Sequence, residues 1–307
     1  MNIRTVNYLD NGDIELIEES LNDPGEHEVQ IRRAACGICS WDIATCRAGS
    51  AFPVPAPAGH EGMGYIEKVG SKVTTLNEGD RVLGGGFATY FNMAAEHVHT
   101  LPDNDVADEF FLVEPVSCVV NGLDHCRLKA GDKVAMIGAG YMGFMMIQAL
   151  KGNPFLSRFD VIDINDDRLK LAKELGAFET YNSLNDDLDE LKSLKYDVVI
   201  DTSGSQQGLD LATDLTRRGG IINLFGWLKG ETAFFDPTKW HLGGFTVINS
   251  APASGIRDVS PVAIDLISRG IIDMKPLVTH IVSLDEYPDL MKTILAGDSS
   301  YIKGVVK

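Results

Sequence analysis

Six residues, Gly138-Ala139-Gly140-Tyr141-Met142-Gly143, separate the apolar run Lys133–Ile137 from a second apolar run, Phe144–Leu150. The first run has the length of a buried strand, and the second predicts a buried helix. Val161-Ile162-Asp163 then reads as another strand ending in an acid, 20 residues past Gly143. Each glycine has a mechanical use: a tight turn at Gly138, backbone approach to a pyrophosphate at Gly140, and close helix–strand packing at Gly143. Phosphates would sit over the free N–H groups where Tyr141 and Met142 open the helix. Asp163 would accept hydrogen bonds from ribose hydroxyls and repel a 2′-phosphate, which favours NAD over NADP. The plainer reading of the hexapeptide alone is a glycine-rich turn in some other α/β domain. Strand, helix and spaced acid together favour dinucleotide binding.

A second group of residues has metal-ligand chemistry. Cys39 lies in Cys36-Gly37-Ile38-Cys39-Ser40-Trp41-Asp42, and His60-Glu61 follows a Pro-rich stretch within Gly59-His60-Glu61-Gly62. Glu114 opens Glu114-Pro115-Val116-Ser117-Cys118. A thiolate, an imidazole and one or two carboxylates suit Zn²⁺, and a set that leaves a position open suits a catalytic ion. Each residue also has an ordinary reading: Cys39 as a small buried hydrophobe, His60 as a hydrogen-bonded loop residue, Glu114 as a charge favoured at a helix start. Cys36 and Cys39 could form half of a zinc ribbon, but no second CxxC is present to complete one.

The elements that must position these residues differ along the chain. Residues 1–116 are rich in Gly, Pro and short β-prone runs at 28–32, 64–69, 80–83 and 89–92, with turn signals at Asp23-Pro24-Gly25 and Asn77-Glu78-Gly79-Asp80. They predict a compact, mostly antiparallel β domain. From 117 onward, strand candidates at 133–137, 159–163, 197–201, 220–225 and 245–249 alternate with helical patterns such as Arg168–Gly176. That alternation predicts a doubly wound parallel sheet. The last stretch predicts helices near 260–269 and 285–296 and strands at 278–282 and 302–306. The chain has 307 residues, enough for two cores, and a net charge of −17 from 44 acids and 27 bases. Such a balance argues against nucleic acid or an anionic membrane as partner. The five cysteines do not form a disulfide framework, and no stretch reads as a signal peptide or membrane span, so a reduced cytoplasm is the expected compartment.

Taken together, the motifs resemble those of the zinc-containing medium-chain alcohol dehydrogenases, in particular the sorbitol and polyol dehydrogenase branch. The resemblance covers almost the whole chain: Pro24-Gly25-Glu26, the Cys36–Asp42 segment, Gly59–Gly62, Asn77–Val82, Glu114-Pro115, the GxGxxG unit, Asp163–Leu169 and Asp201-Thr202-Ser203-Gly204. It implies a GroES-like catalytic domain of 1–116 with 254–307 and a Rossmann domain of 117–253. It implies Cys39, His60, Glu61 and Glu114 as ligands of one catalytic zinc, with Asp42 orienting the zinc-bound histidine. Arg168 matches a basic residue that holds the adenosine ribose alongside Asp163. Thr202, Ser203, Phe225 and Gly226 would lie along the cofactor groove.

Two departures from the family pattern matter. Val82 runs directly into Leu83-Gly84-Gly85-Gly86-Phe87, where the family often inserts a four-cysteine structural zinc lobe, so one zinc per chain is expected. Trp41 and Ala44 stand where the family has a substrate-binding Ser or Thr and a relay histidine. Ser40 is next to Trp41 but would point away from it on an extended chain. His97, His99, Glu61 or water remain as relay candidates, and Trp41 either lines a pocket for a larger substrate or packs under the loop. The implied activity is NAD-linked interconversion of a secondary alcohol, polyol or sugar-like, and its ketone. A zinc-free reductase of enones, quinones or bulky rings and an NAD-binding protein without catalysis remain as alternatives. The resemblance also implies a homodimer or homotetramer.

Overall fold

The computed structural model describes residues 1–47, 58–228, 232–250 and 257–307. The Pro-rich stretch before Gly59 and the domain boundary expected at 253/254 lie outside the described residues. The chain divides into two compact units, Met1–Pro115 with Ser260–Lys307, and Val116–Val259.

The first unit opens with strands β1 (Asn2–Tyr8) and β2 (Ile14–Ser20), which pair as an antiparallel hairpin. Strand β3 (Glu28–Gly37) is followed by a short helix α1 (Ser40–Thr45), then by β4 (Glu61–Val69), β5 (Arg81–Leu83) and β6 (Tyr90–Ala94). β4 pairs antiparallel with both β3 and β5, and β6 pairs with β3. The turn before β5 is closed as its residues suggest, with the Asp80 carboxylate accepting from Asn77 N at 2.8 Å and Gly79 at φ +88°. Helix α2 (Val113–Cys126) follows.

The second unit is a six-stranded parallel sheet. Its elements are β7 (Lys133–Ile137), α3 (Tyr141–Leu150), β8 (Arg158–Asp163), α4 (Asp166–Leu175), β9 (Glu179–Asn182), α5 (Asp189–Leu194), β10 (Tyr196–Asp201), α6 (Gln206–Leu215), β11 (Thr216–Leu224), α7 (Pro237–Gly243) and β12 (Thr246–Asn249). Strand order is β12-β11-β10-β7-β8-β9, so the order reverses between β7 and β10. β7 and β8 are buried along almost their whole length, as a doubly wound sheet requires, and the one buried acid within β8, Asp160, is held by Arg158 and Tyr196. α4 shows the local logic of the helices: Asn165 caps its start through Arg168 N at 3.1 Å, Leu169 and Ala172 face inward, and Gly176 at φ +130° ends it.

The chain then returns to the first unit with α8 (Ser260–Ser268), β13 (Val278–Val282), α9 (Tyr287–Leu295) and β14 (Lys303–Val306). β14 joins the sheet beside β3, giving the order β13-β14-β3-β4-β5. Its register sets Val305 opposite Gly37 and Val306 opposite Cys36. The core of this unit gathers Tyr8, Cys36, Ile38, Phe87, Tyr287 and Val306 from segments far apart in sequence. Among the described residues no helix is long and apolar enough to cross a membrane.

Candidate functional site

The β3–β4 ladder sets Gly37 opposite Glu61, two residues before Cys39 and one after His60. Cys39, His60 and Glu61 thereby each present a ligand atom, and these atoms lie within 4.8 Å of one another. Cys39 is half-buried at the N-cap of α1, His60 is exposed, and Glu61 is buried as the first residue of β4. Gly59 turns the chain into His60 at φ +82°, and a Cβ there would stand 2.9 Å from the Phe87 ring and backbone. Gly37 leaves the space into which the Glu61 and Lys303 side chains project.

Burial pushes the Cys39 thiol up to about 12, the Glu61 charge adds to the effect, and Lys303 opposes it. A divalent cation among the three donors would reverse that balance, since a coordinating thiol is held as thiolate. Glu61 pairs with Lys303 on β14, Nζ to Oε2 at 2.5 Å, with side chains only 3% and 4% exposed respectively. Sequence reasoning missed Lys303. The signal available was a lone charged residue inside the apolar closing strand Lys303–Val306.

Asp42 is the third residue of α1 and 2% exposed. Its Oδ2 accepts from Cys39 N at 2.8 Å and its Oδ1 from the Tyr8 hydroxyl at 3.0 Å. Burial lifts its carboxyl to about 6, against the pull of the Cys39 amide, His60 and Tyr8.

Ser40 and Trp41 do not lie on an extended chain. They form the first turn of α1, Ser40 exposed and Trp41 half-buried, so alternation of sides is not the rule that aims them. Ala44 is buried in the same helix. His97 is exposed beside Glu96 at 3.8 Å. His99 lines a separate hollow of about 460 Å³ with Thr75, Val98, Pro261 and Ile264. Glu114, half-buried in the first turn of α2, is not one of the three converging donors.

In the second unit, the GxGxxG segment follows β7 and opens α3. Gly138 has φ +102°, and a Cβ on it would stand 2.7 Å from Thr202 Oγ1. Gly140 differs: nothing in the chain lies within 4 Å of where its Cβ would be, and its φ of −90° suits any residue. Internal packing therefore does not require glycine at 140, whereas close approach of a ligand would. Asp163 ends β8 and holds the turn in place, accepting from Ala139 N at 2.6 Å and Asn165 N at 2.9 Å. Thr202 Oγ1 donates to Gly138 O at 2.7 Å, and Ser203 Oγ donates to Asp201 Oδ1 at 2.6 Å. Phe225 and Gly226 follow β11 and both donate their amides to Asp201 O, at 2.9 and 2.7 Å. These residues thus collect at the carboxyl ends of β7, β10 and β11, around the switch in strand order where open parallel sheets bind ligands. Arg168 lies half-buried in the first turn of α4, just beyond Asp163.

Comparison with known proteins agrees with both halves. A family profile described as an alcohol dehydrogenase GroES-like domain matches residues 25–103, and one described as a zinc-binding dehydrogenase matches 142–269. The chain is 28% identical to (R,R)-butanediol dehydrogenase of Bacillus subtilis over 344 residues, covering 96% of each. It is 26% identical to the sorbitol dehydrogenase of Gallus gallus, covering 94% of this chain and 92% of that one. The structure matches that of an Escherichia coli oxidoreductase of unknown specificity with a TM-score of 0.89 at 25% identity, over 100% of this chain and 99% of the other. The paired profiles, the full-length relatives and the GroES-like and Rossmann-like architecture all lead to one assignment: the chain belongs to the zinc-type medium-chain alcohol dehydrogenase family.

Proposed function

We propose that this protein is a zinc-dependent, NAD-linked oxidoreductase that interconverts a secondary alcohol, polyol or sugar-like in character, and its ketone. The observation that carries the proposal is the convergence of Cys39, His60 and Glu61 donors within 4.8 Å. Sulfur, imidazole nitrogen and carboxylate oxygen match what zinc takes, and three protein donors leave a position for substrate. Glu114 remains the candidate for a further carboxylate donor. Zinc held there supplies Lewis-acid polarisation of the substrate oxygen, and bound NAD⁺ supplies the hydride acceptor.

The chain's own residues bind and orient. Asp42 fixes the Cys39 backbone by accepting from its amide. Lys303 holds Glu61 on the side facing β14. The open face of Gly140 admits the pyrophosphate, and Arg168 helps hold the ribose. Asp163 selects against a 2′-phosphate by charge, which supports NAD over NADP. The short link from β5 to β6 supports a single ion per chain. The relatives' names, butanediol and sorbitol dehydrogenase, support a substrate carrying a secondary hydroxyl beside other polar groups. β12 lies at a sheet edge, and we propose that it pairs with its twin in a homodimer or homotetramer.

A metal-free reductase is favoured by one observation. Lys303 already neutralises Glu61, so the buried carboxylate does not itself demand an ion. One experiment separates the readings. Chelator-treated protein should lose NAD⁺-dependent oxidation of a polyol panel and regain it on addition of one equivalent of Zn²⁺. Turnover of an enone or quinone that is indifferent to chelation would establish the metal-free reading instead.

A further inference from the structure

Behind the three donors lies a buried chain of hydroxyls. Tyr8 donates to Asp42 Oδ1 at 3.0 Å, and its oxygen lies 2.8 Å from the Tyr287 hydroxyl. An ionised carboxylate can only accept, so the Tyr8 proton goes to Asp42. The Tyr8 oxygen is then left to accept from Tyr287, and both hydroxyl protons have fixed places: Tyr287 to Tyr8 to Asp42. The other Asp42 oxygen accepts from the amide of Cys39. Tyr287 is fully buried and Tyr8 is 7% exposed, so water does not substitute freely for either.

Tyr287 also touches the other donor-bearing segment. Its ring lies 4.7 Å from that of Phe87, centroid to centroid. Phe87 N donates to Ala58 O at 2.8 Å, and the Phe87 ring fills the space under Gly59, one residue before His60. One side chain on α9 thus supports the Cys39 turn through Tyr8 and Asp42, and the His60 turn through Phe87.

We infer that Tyr8 and Tyr287 are positioning residues of the metal centre, setting the geometry of the Cys39 donor through Asp42 and supporting the His60 turn through the Tyr287–Phe87 contact. The inference rests on the zinc reading above. Groups behind the ligands typically change metal affinity 10–100-fold when removed, because they hold ligand orientation.

The test measures Zn²⁺ affinity by competition with a chromophoric chelator, and the visible d–d spectrum of the Co²⁺-loaded protein. Tyr8→Phe should weaken Zn²⁺ binding by about tenfold or more and alter the Co²⁺ bands. Tyr287→Phe, which leaves the Tyr8–Asp42 bond in place, should weaken binding by less, and the double variant should behave like Tyr8→Phe alone. Tyr196→Phe is the control. It removes a buried tyrosine–carboxylate bond, to Asp160 in the second unit, and should lower thermal stability with both metal readouts unchanged. Tyr8→Phe protein that melts lower yet binds Zn²⁺ within twofold of wild type, with unaltered Co²⁺ bands, would overturn the inference. If Tyr8→Phe does not fold, unchanged affinity and spectrum in Tyr287→Phe overturn it equally. Wild-type protein that binds no Zn²⁺ removes the zinc reading and the inference with it, whereas indifferent variants of a zinc-binding wild type sink the inference alone.

Discussion

Glu61 and Lys303 form an ion pair that is almost fully desolvated. Removing one partner of such a pair leaves an uncompensated charge, at about 3–5 kcal/mol. Lys303→Met keeps the volume and removes the cation, so the metal-free variant should melt well below wild type. Zn²⁺ among the same donors offers Glu61 another positive partner, and the Zn²⁺-induced rise in melting temperature should therefore be larger in the variant. A rise no larger than in wild type would show that Glu61 is not part of the metal site. The glycines of the second unit allow a parallel separation of fold from ligand. Gly138→Ala forces a side chain into φ +102° and against Thr202, and should destabilise by about 1–3 kcal/mol. Gly140→Ala meets nothing within 4 Å and should leave stability near wild type while weakening NAD⁺ binding by about tenfold, or 1.4 kcal/mol. Calorimetry and cofactor titration on the two variants check both. The glycine motif was legible from sequence because its spacing is local. Lys303, Tyr8 and Tyr287 were not, because their partners lie 34 to 279 residues away and no local pattern marks them.

At the scale of elements, long or repetitive segments announced themselves and short ones did not. β7 and α3 are nearly continuous apolar runs bounded by turns, and β8 carries the apolar pair Val161-Ile162 before its terminal acid, which length and spacing suffice to place. α1 has six residues, Ser40–Thr45, too few for a helical period to show. Its start is set by Cys39 N bonding to the Asp42 carboxylate instead of by an apolar stripe. β1 buries Thr5 and Val6 side by side, breaking the alternation that would have marked a strand. The parallel sheet carries its own pH signature at Asp197 on β10. Burial alone would raise this carboxyl, but the Lys133 amide at 2.8 Å and the Arg217 guanidinium at 2.5 Å outweigh it and hold it below its ordinary value. A depressed carboxyl stabilises the fold above its unfolded pKa, and that contribution disappears as pH falls through the lower folded value. Asp197→Asn should therefore cost about 1 kcal/mol at pH 7, a figure kept small because Arg217 is half exposed, and almost nothing in strong acid. Urea melts of the two proteins at both pH values measure it; an equal difference at both would exclude the charge as its source.

The chain's overall charge bears on how many metal ions it holds. With a net charge of −17, the surface attracts divalent cations without any built site. Those ions exchange with salt, because exposed charges are screened over about 8 Å at physiological ionic strength. An ion held by Cys39, His60 and Glu61 differs in kind, since its donors include sulfur and imidazole nitrogen, which Mg²⁺ and Ca²⁺ do not compete for. Among the described residues no other cysteine, Cys118 included, joins such a donor set; Cys36 and Cys46 belong to the apolar core of the first unit, and Cys126 is buried against Asn223 in the second. Protein washed in physiological salt with excess Mg²⁺ should therefore retain about one Zn²⁺ per chain, and Cys39→Ala protein under the same wash should retain almost none. Because binding to a folded site stabilises that fold by mass action, loss of the ion should also lower the melting temperature of wild type and leave the variant's unchanged. Two equivalents surviving the wash, or one surviving in the variant, would place zinc elsewhere in the chain and break the link between the first unit's donors and the chemistry assigned to them.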